Sequence, residues 1–167
     1  MNRFVGKSIV ALVLVAVACS SSEISTSPPG VAIPIVRLRS DPYSFAFFSG
    51  MNTSARLVVR DAVTWQAVWA QVYRGTSPVP PTPSIDFSRE MVIVAALGTR
   101  GSSGFDVLID GATEADASGA AIAIRSTSPG AGCASLTVLT QPVDIARMPR
   151  RDGAVTFVER SSVTNCG

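Results

Sequence analysis

The chain of 167 residues is long enough for one domain with a hydrophobic core and too short for two domains of ordinary size. Of its 14 Lys and Arg residues, Arg3 and Lys7 lie in an N-terminal segment that we expect to be removed, and the others balance the 12 acidic residues. The mature protein therefore has no excess of positive charge that would attract nucleic acid or an anionic membrane surface. The chain has no His and Lys7 is its only Lys, so the mature protein cannot form Ser-His, Cys-His or Ser-Lys nucleophile pairs, or a zinc site built on imidazole.

Residues 1–18 are typical of an export signal. Arg3 and Lys7 make a positively charged start, and the ten residues 9–18 are all apolar. A helix needs about twenty apolar residues to span a bilayer, so we predict a cleavable signal rather than a transmembrane anchor.

Cys19 follows the small residues AVA and precedes three serines, a pattern that resembles the lipobox of bacterial lipoproteins. It predicts cleavage before Cys19 and acylation of that Cys, which would anchor the protein in the cell envelope, facing the periplasm or at the outer membrane. The alternative is an ordinary secretory signal that leaves a free Cys. We assign residues 19–34 to the acylated Cys and a disordered tether, because they are rich in Ser, Thr and Pro, and residues 35–167 to the folded domain.

One helix is predicted, from about Ala62 to Arg74. Asp61 suits the N-cap and Gly75 ends the pattern. The apolar side chains follow the helical repeat, which places them on one face: Trp65, Val68, Trp69, Val72 and Tyr73. A ligand platform of aromatic rings is the alternative, but a helix that docks on a sheet needs such a stripe, so we assign it to the core.

Residues 86–109 are predicted to form a hairpin. Residues 91–97 are apolar at every position, which is typical of a strand covered on both faces, and Gly98 ends the run. A Gly- and Ser-rich turn then leads to an alternating strand that contains Phe105, Val107 and Ile109.

The second half of the chain predicts further strands. Residues 111–119 are expected to form an acidic turn, followed by a strand over residues 120–126. A long strand over residues 136–146 is broken by Pro142 and should lie at a sheet edge or bulge, and a last strand covers residues 154–160. The predicted fold is α+β, with a mainly antiparallel, curled sheet packed on the one main helix.

Cys133 and Cys166 are expected to form a disulfide, because an exported protein meets an oxidising compartment. The bond would stabilise the fold by roughly 3 to 4 kcal/mol in the chain-entropy model. A redox-active pair is the alternative, but the CxxC spacing is absent.

The carboxylates are the remaining acid/base candidates. Asp106 and Asp110 are four strand residues apart, roughly 13 Å, which is too far for a glycosidase pair. Glu114 and Asp116 could bind a loose cation together with Asp110, but their spacing matches no ordered calcium loop. We expect solvated turn charges, with no catalytic residue, no metal site and no cofactor.

Arg147, Arg150 and Arg151 form the only basic cluster. The cluster flanks a predicted turn, so we interpret it as the solvated end of a hairpin. A contact with another protein is the alternative.

The glycine-rich turn is the candidate partner-binding segment. No helix is predicted to follow it, so it is not a phosphate-binding loop. Its glycines permit positive φ angles and close backbone approach. The segment consists of Thr99, Arg100, Gly101, Ser102, Ser103, Gly104 and Phe105.

The order and spacing of several segments resemble the PrcB C-terminal domain family. The segments are TWQAVWAQV with its two Trp residues, then PPTPSIDFSREMVIVAALG, then RGSSGFDVLI, a strand that ends near SPG, and TQPVDIARMPR. Together they extend from about Arg56 to Glu159. In this family PrcB is the small lipoprotein subunit of a bacterial surface protease complex.

The resemblance implies a non-catalytic partner at the cell envelope. We therefore expect a protein-binding lipoprotein that stabilises or assembles an exported protease, or binds another envelope protein, and that reaches the membrane through lipid on Cys19. The alternative is a module that binds a solute or glycan through the glycine-rich turn and nearby aromatic residues.

Overall fold

The computed structural model describes residues 30–38 and 48–166. Within them the chain forms one helix and eight strands, which confirms the predicted α+β class. In this described part, no helix combines the length and the apolarity needed to cross a membrane. The elements in chain order are β1 (Ala32–Ile33), β2 (Val36–Arg37), β3 (Ser54–Val59), α1 (Ala62–Val72), β4 (Glu90–Leu97), β5 (Asp106–Glu114), β6 (Ala120–Pro129), β7 (Val143–Pro149) and β8 (Val155–Thr164).

The strands form two four-stranded sheets. Sheet I has the order β1-β5-β6-β8, and sheet II has the order β2-β7-β4-β3. Every pair of neighbours is antiparallel except β6 and β8, which run parallel. On one side of the structure the chain passes directly from β1 in sheet I to β2 in sheet II. On the other side the edge strands are β3 and β8.

β4 is buried on both faces, as its apolar sequence predicts. One face packs against sheet I through Met91, Ile93 and Ala95. The other face packs against α1 through Val92, Val94 and Ala96. The molecule therefore has three layers, α1, sheet II and sheet I, with β4 in the middle layer.

The helix begins and ends where the sequence predicts it within about two residues. Asp61 is the N-cap, and its carboxylate accepts a hydrogen bond from the Thr64 amide at 2.8 Å. The helix ends at Val72, and Gly75 follows with a φ of +84°, in the left-handed region that favours glycine. Backbone N–H groups in the first turn of a helix and C=O groups in the last turn lack partners within the helix. The N-cap side chain and the turn at the glycine help to provide partners for them.

Trp65 and Trp69 belong to the core, as predicted. Both are buried, and their ring centroids lie 5.2 Å apart. Residues 77–83 contain four prolines and form a proline-rich segment. Each indole N–H donates to a carbonyl of this segment: Trp65 to Pro83 at 2.9 Å and Trp69 to Pro80 at 3.0 Å. The proline-rich segment is thus held against α1 by the polar ends of the two core side chains.

The hairpin predicted over residues 86–109 is wrong. β4 pairs with β3 and β7 in sheet II, whereas β5 pairs with β1 and β6 in sheet I. Gly98 ends β4 with a φ of +75°, and a Cβ there would lie 2.7 Å from the Ser54 amide nitrogen. The glycine lets the chain pass close to β3 and leave sheet II instead of folding back along β4.

Two strand boundaries also differ from the sequence prediction. β7 begins only at Val143, after Pro142, and is an interior strand of sheet II rather than an edge. Pro142 lacks the N–H that a ladder needs, but it lies before the strand and leaves the pairing of β7 intact. β5 extends to Glu114, so the acidic turn is shorter than predicted. A register shift between Ile109 and Gly111 leaves Asp110 as one extra residue of β5 relative to β6.

The predicted disulfide between Cys133 and Cys166 is present. It joins the loop after β6 to the segment that directly follows β8. Beside it the Gly130 amide donates to the Thr164 carbonyl at 3.0 Å. The end of an edge strand near the chain terminus is thereby held to the neighbouring strand.

Replacement of both cysteines (C133S/C166S) is expected to lower the free energy of unfolding by about 3 to 4 kcal/mol. The bond closes a loop with a sequence separation of 33, and its loss restores conformational entropy to the unfolded chain. Urea unfolding followed by tryptophan fluorescence measures the difference. Under reducing conditions the wild type should match the double variant, and a wild-type midpoint that does not change on reduction would contradict the prediction.

Candidate functional site

The predicted partner-binding turn connects sheet II to sheet I and is hydrogen bonded to a second loop. Arg100 and Thr140 exchange backbone hydrogen bonds of 2.8 and 2.9 Å. The Ser103 amide donates to the Leu136 carbonyl at 3.0 Å, and the Leu136 amide donates to the Ser103 hydroxyl at 2.9 Å. We call residues 99–105 and 136–140 the paired loops. Their backbones are fixed on one another although neither forms a regular strand.

The paired loops expose two large apolar side chains. Leu136 is 73% exposed and Leu139 is 62% exposed. Single exposed apolar residues are ordinary, but two on one short, hydrogen-bonded loop make a surface suited to protein contact. Binding through such a surface costs little ordering of the backbone, because the loop is already held in place.

The sequence analysis missed these two leucines because it assigned residues 136–146 to one strand. The signal that could have separated them is Pro142. A proline interrupts a ladder and biases the residue before it, so it favours an irregular segment up to that point.

Arg100 and Phe105 fix the base of the turn. The Arg100 guanidinium lies over the Phe105 ring, 5.6 Å from its centroid, and its Nη2 donates to the Leu97 carbonyl at 3.0 Å. Phe105 packs against the core between the two sheets. Gly104 has a φ of +91° and passes against the Pro129 side chain, so it is one of the turn positions that require glycine.

The three carboxylates considered for a loose cation site each have a different partner. Asp110 pairs with Arg125 at 2.8 Å, and Glu114 pairs with Arg151. Asp116 accepts backbone hydrogen bonds from the turn that follows it. Among the residues that the structure describes, Cys, Asp and Glu side chains form no group that could hold a metal ion.

The arginine cluster is not a set of free surface charges. Arg147 pairs with Glu90 at 3.3 Å, and Arg150 pairs with Asp152 at 2.7 Å. Arg150 also donates to the Phe87 carbonyl at 2.7 Å. The solvated hairpin end that the sequence predicts is therefore a group of ion pairs that tie β7 and its following turn to neighbouring segments.

Asp144 is a buried carboxylate that the sequence analysis did not single out. Its Oδ2 accepts from the Ile109 amide at 2.8 Å and from Arg37 Nε at 3.2 Å. Arg37 Nη2 donates to the Ile109 carbonyl at 2.8 Å. These bonds join β2 and β7 of sheet II to β5 of sheet I, beside the register shift in β5. Asp144 thus satisfies a backbone group that no neighbouring strand reaches.

Asp106 is the carboxylate whose pKa is raised, and burial of the side chain is the main cause. The Val107 amide opposes the rise by donating to the carboxylate at 2.8 Å, and the negative charge of Asp144 adds to it. Asp110 has the opposite shift, because its hydrogen bonds with Arg125 lower its pKa. Both shifts have structural causes, namely burial for Asp106 and the ion pair with Arg125 for Asp110.

The comparisons with known proteins identify one region of the chain. Residues 91–149 match the family model described as PrcB C-terminal. Over this stretch, which is less than half of the chain, the sequence is similar to that family. The resemblance that the sequence predicts is confirmed over this region, which runs from β4 to the end of β7. No curated protein and no solved structure matches the chain.

The PrcB C-terminal match encloses the paired loops completely and leaves α1, β3 and β8 outside. Cys133 lies inside the matched region and Cys166 outside it. Cys19, the predicted lipidation site, lies outside the described residues.

Asp106→Asn is expected to raise stability at pH 7, with a gain that disappears on acidification. The folded-state pKa of Asp106 lies above its ordinary value of 3.8, so the folded protein binds this proton more tightly than the unfolded chain does. The tighter binding of this proton therefore stabilises the folded protein fully at pH values below the ordinary pKa. The stabilisation is lost as the pH rises through the folded-state pKa. The Asn side chain keeps an acceptor for the Val107 amide but carries no charge.

Asp110→Asn is the matched control, with the opposite sign. Because the folded-state pKa of Asp110 is lowered, its carboxylate stabilises the folded protein at pH values above the ordinary pKa. That stabilisation is lost as the pH falls through the folded-state pKa. Urea unfolding of both variants and the wild type at pH 7 and at about pH 3 gives the comparison. An Asp106→Asn variant less stable than the wild type at pH 7 would contradict the assignment.

Proposed function

We propose that this protein is a non-catalytic lipoprotein of the bacterial cell envelope that binds an exported protease and stabilises or assembles its complex. The observation that carries the proposal is the PrcB C-terminal match over residues 91–149, which encloses both paired loops. The family resemblance implies a subunit role beside a protease.

The paired loops supply the contact surface in this proposal. Leu136 and Leu139 insert into an apolar recess of the partner, while the hydroxyl groups around them form a polar rim. Interfaces of this kind draw most of their binding energy from a few buried anchors. The hydrogen bonds between the two loops hold the anchors in place before the partner arrives.

The absence of catalysis is part of the proposal. The chain contains no His, and its only Lys lies in the predicted signal segment. The common ways to activate a Ser or Cys nucleophile therefore have no side chains available. We assign Asp110, Glu114 and Asp144 to structural ion pairs and hydrogen bonds rather than to acid/base chemistry.

The folded part of the chain begins earlier than the predicted tether of residues 19–34 allows, because β1 starts at Ala32. A flexible segment of about eleven residues, from residue 21 to residue 31, would still have a typical reach on the order of 20 Å. Lipid on Cys19 would thus keep the domain near the membrane surface and near a partner in the same envelope.

Replacement of both leucines by Asp (L136D/L139D) is expected to abolish partner capture. Complementation of a deletion strain with tagged full-length protein, followed by crosslinking and membrane pull-down, should recover an exported protease with the wild type. The double variant should reduce recovery at least about tenfold, because it places charge in a desolvated contact. Val63→Asp is the control, since Val63 is 79% exposed on α1, outside the matched region. Recovery of no protease, with unchanged secreted proteolysis in the deletion strain, would refute the proposal.

Mass spectrometry of the N-terminal peptide is expected to find an acylated Cys19. The lipobox pattern places the signal cleavage directly before this residue. Cys19→Ala should move the protein from the membrane fraction to the soluble envelope fraction. An unmodified thiol on Cys19 would exclude the lipid anchor and leave the protein-binding proposal to be judged by the pull-down.

A further inference from the structure

A polar cleft opens beside the paired loops, between the edge strands β3 and β8. Its volume is about 320 Å³, near the lower end of the range for small-molecule sites. Arg56 lines it from β3, and Arg100 and Phe105 line it from the paired loops. The remaining wall consists mainly of Ser and Thr side chains from β6 and β8.

The hydroxyl-rich wall arises from the parallel register of β6 and β8. Ile122 lies beside Phe157 in the core, and four register pairs further along Ser126 lies beside Ser161 on the same face. Between them on that face Ile124 lies beside Glu159, so β8 becomes polar one position before β6, and hydroxyl side chains face each other from Ser126 and Ser161. Within the described residues, the hydroxyls of Ser126 and Ser161 have no hydrogen-bond partner, so they are available to a ligand.

Arg56 is not available to a ligand. Its Nε and Nη2 pair with the Glu159 carboxylate at 2.7 and 3.1 Å. Its Nη1 donates to the carbonyls of Ala55 and Ala96. All its nitrogens are thus engaged, and its charge is balanced.

Arg100 is the free cation of the cleft. In the part of the chain that the structure describes, no carboxylate pairs with it, and its buried Nε has no hydrogen-bond partner. Arg147 and Arg151 also have an unpartnered Nε, but each of them pairs with a carboxylate through another nitrogen. A guanidinium held on an aromatic ring, without a counter-charge, is suited to bind an anion.

We propose that this cleft binds a sugar acid, a small polyhydroxylated molecule with one carboxylate. The carboxylate would pair with Arg100, and the sugar hydroxyls would exchange hydrogen bonds with Ser126 and Ser161. One charge and several hydroxyls in the ligand match one free cation and the two free hydroxyls of Ser126 and Ser161 in the wall. The volume admits one or two sugar rings. This binding is a second activity of the domain and does not depend on a protease partner.

The test is a calorimetric or NMR titration of the purified full-length protein with D-glucuronate, D-glucose and N-acetyl-alanyl-alanine. Glucuronate is expected to bind, glucose at least about tenfold more weakly because it lacks the charge-assisted pair, and the peptide carboxylate more weakly because it lacks the hydroxyls. Binding of the peptide as tight as that of glucuronate would overturn the proposal, and so would equal binding of glucose.

Four variants separate the site from general electrostatics and from misfolding. Arg100→Gln should weaken glucuronate binding at least about tenfold, whereas Arg160→Gln removes an exposed arginine from β8, outside the cleft lining, and should leave it unchanged. S126A/S161A removes two hydroxyls without a change of charge and should also weaken binding, with a melting temperature near that of the wild type. L136D/L139D should bind glucuronate normally, which distinguishes the cleft from the protein contact. Equal losses for Arg100→Gln and Arg160→Gln would refute the site.

Discussion

The burial of β4 on both faces is the constraint on which the rest of the structure depends. Its alternate residues contribute to two separate cores, one against α1 and one against sheet I. A strand in this position must have a neighbour on each edge and a layer on each face, so β3, β7, α1 and sheet I are all arranged around it. The segment that follows it cannot pair with β4, because both edges of β4 are already occupied. The chain leaves sheet II at Gly98, and its crossing to sheet I creates the paired loops.

Hydrogen bonds and ion pairs join the two sheets along both of their sides, but they contribute more to stability on one side than on the other. On one side Asp144 and Arg37 satisfy the backbone of Ile109 inside the structure, where an unpaired amide would be costly. On the other side Arg56 and Glu159 join β3 to β8 at a half-exposed site, where an ion pair contributes little. The first side is also covered by the β1–β2 segment. The second side opens into the polar cleft, so the less tightly joined side is the one that can admit a ligand.

The sequence was informative about elements and less so about the site. Asp61, the aromatic stripe and Gly75 located α1, and the apolar run located β4, because capping and periodic burial are local properties. The glycine-rich turn was recognised as a surface feature, but its partner loop was not. Leu136 lies 33 residues beyond Ser103, and nothing in either segment indicates that they bond to each other. The cleft was missed for the same reason, since its hydroxyls become one wall only when β6 and β8 pair in parallel.

By itself, the sequence determined that the two Trp residues of α1 and the apolar residues of β4 are buried, where the helix begins and ends, and which cysteines can close a loop. Side-chain polarity and local backbone preference fix these features without reference to distant residues. Only the tertiary structure decided that β4 and β5 belong to different sheets, that Asp144 bonds across them, and that Arg100 has no counter-charge. The physical reason is that backbone hydrogen bonds between strands are nearly independent of sequence. A pattern of alternation tells which face of a strand is buried, but the packing of the whole chain chooses its neighbours.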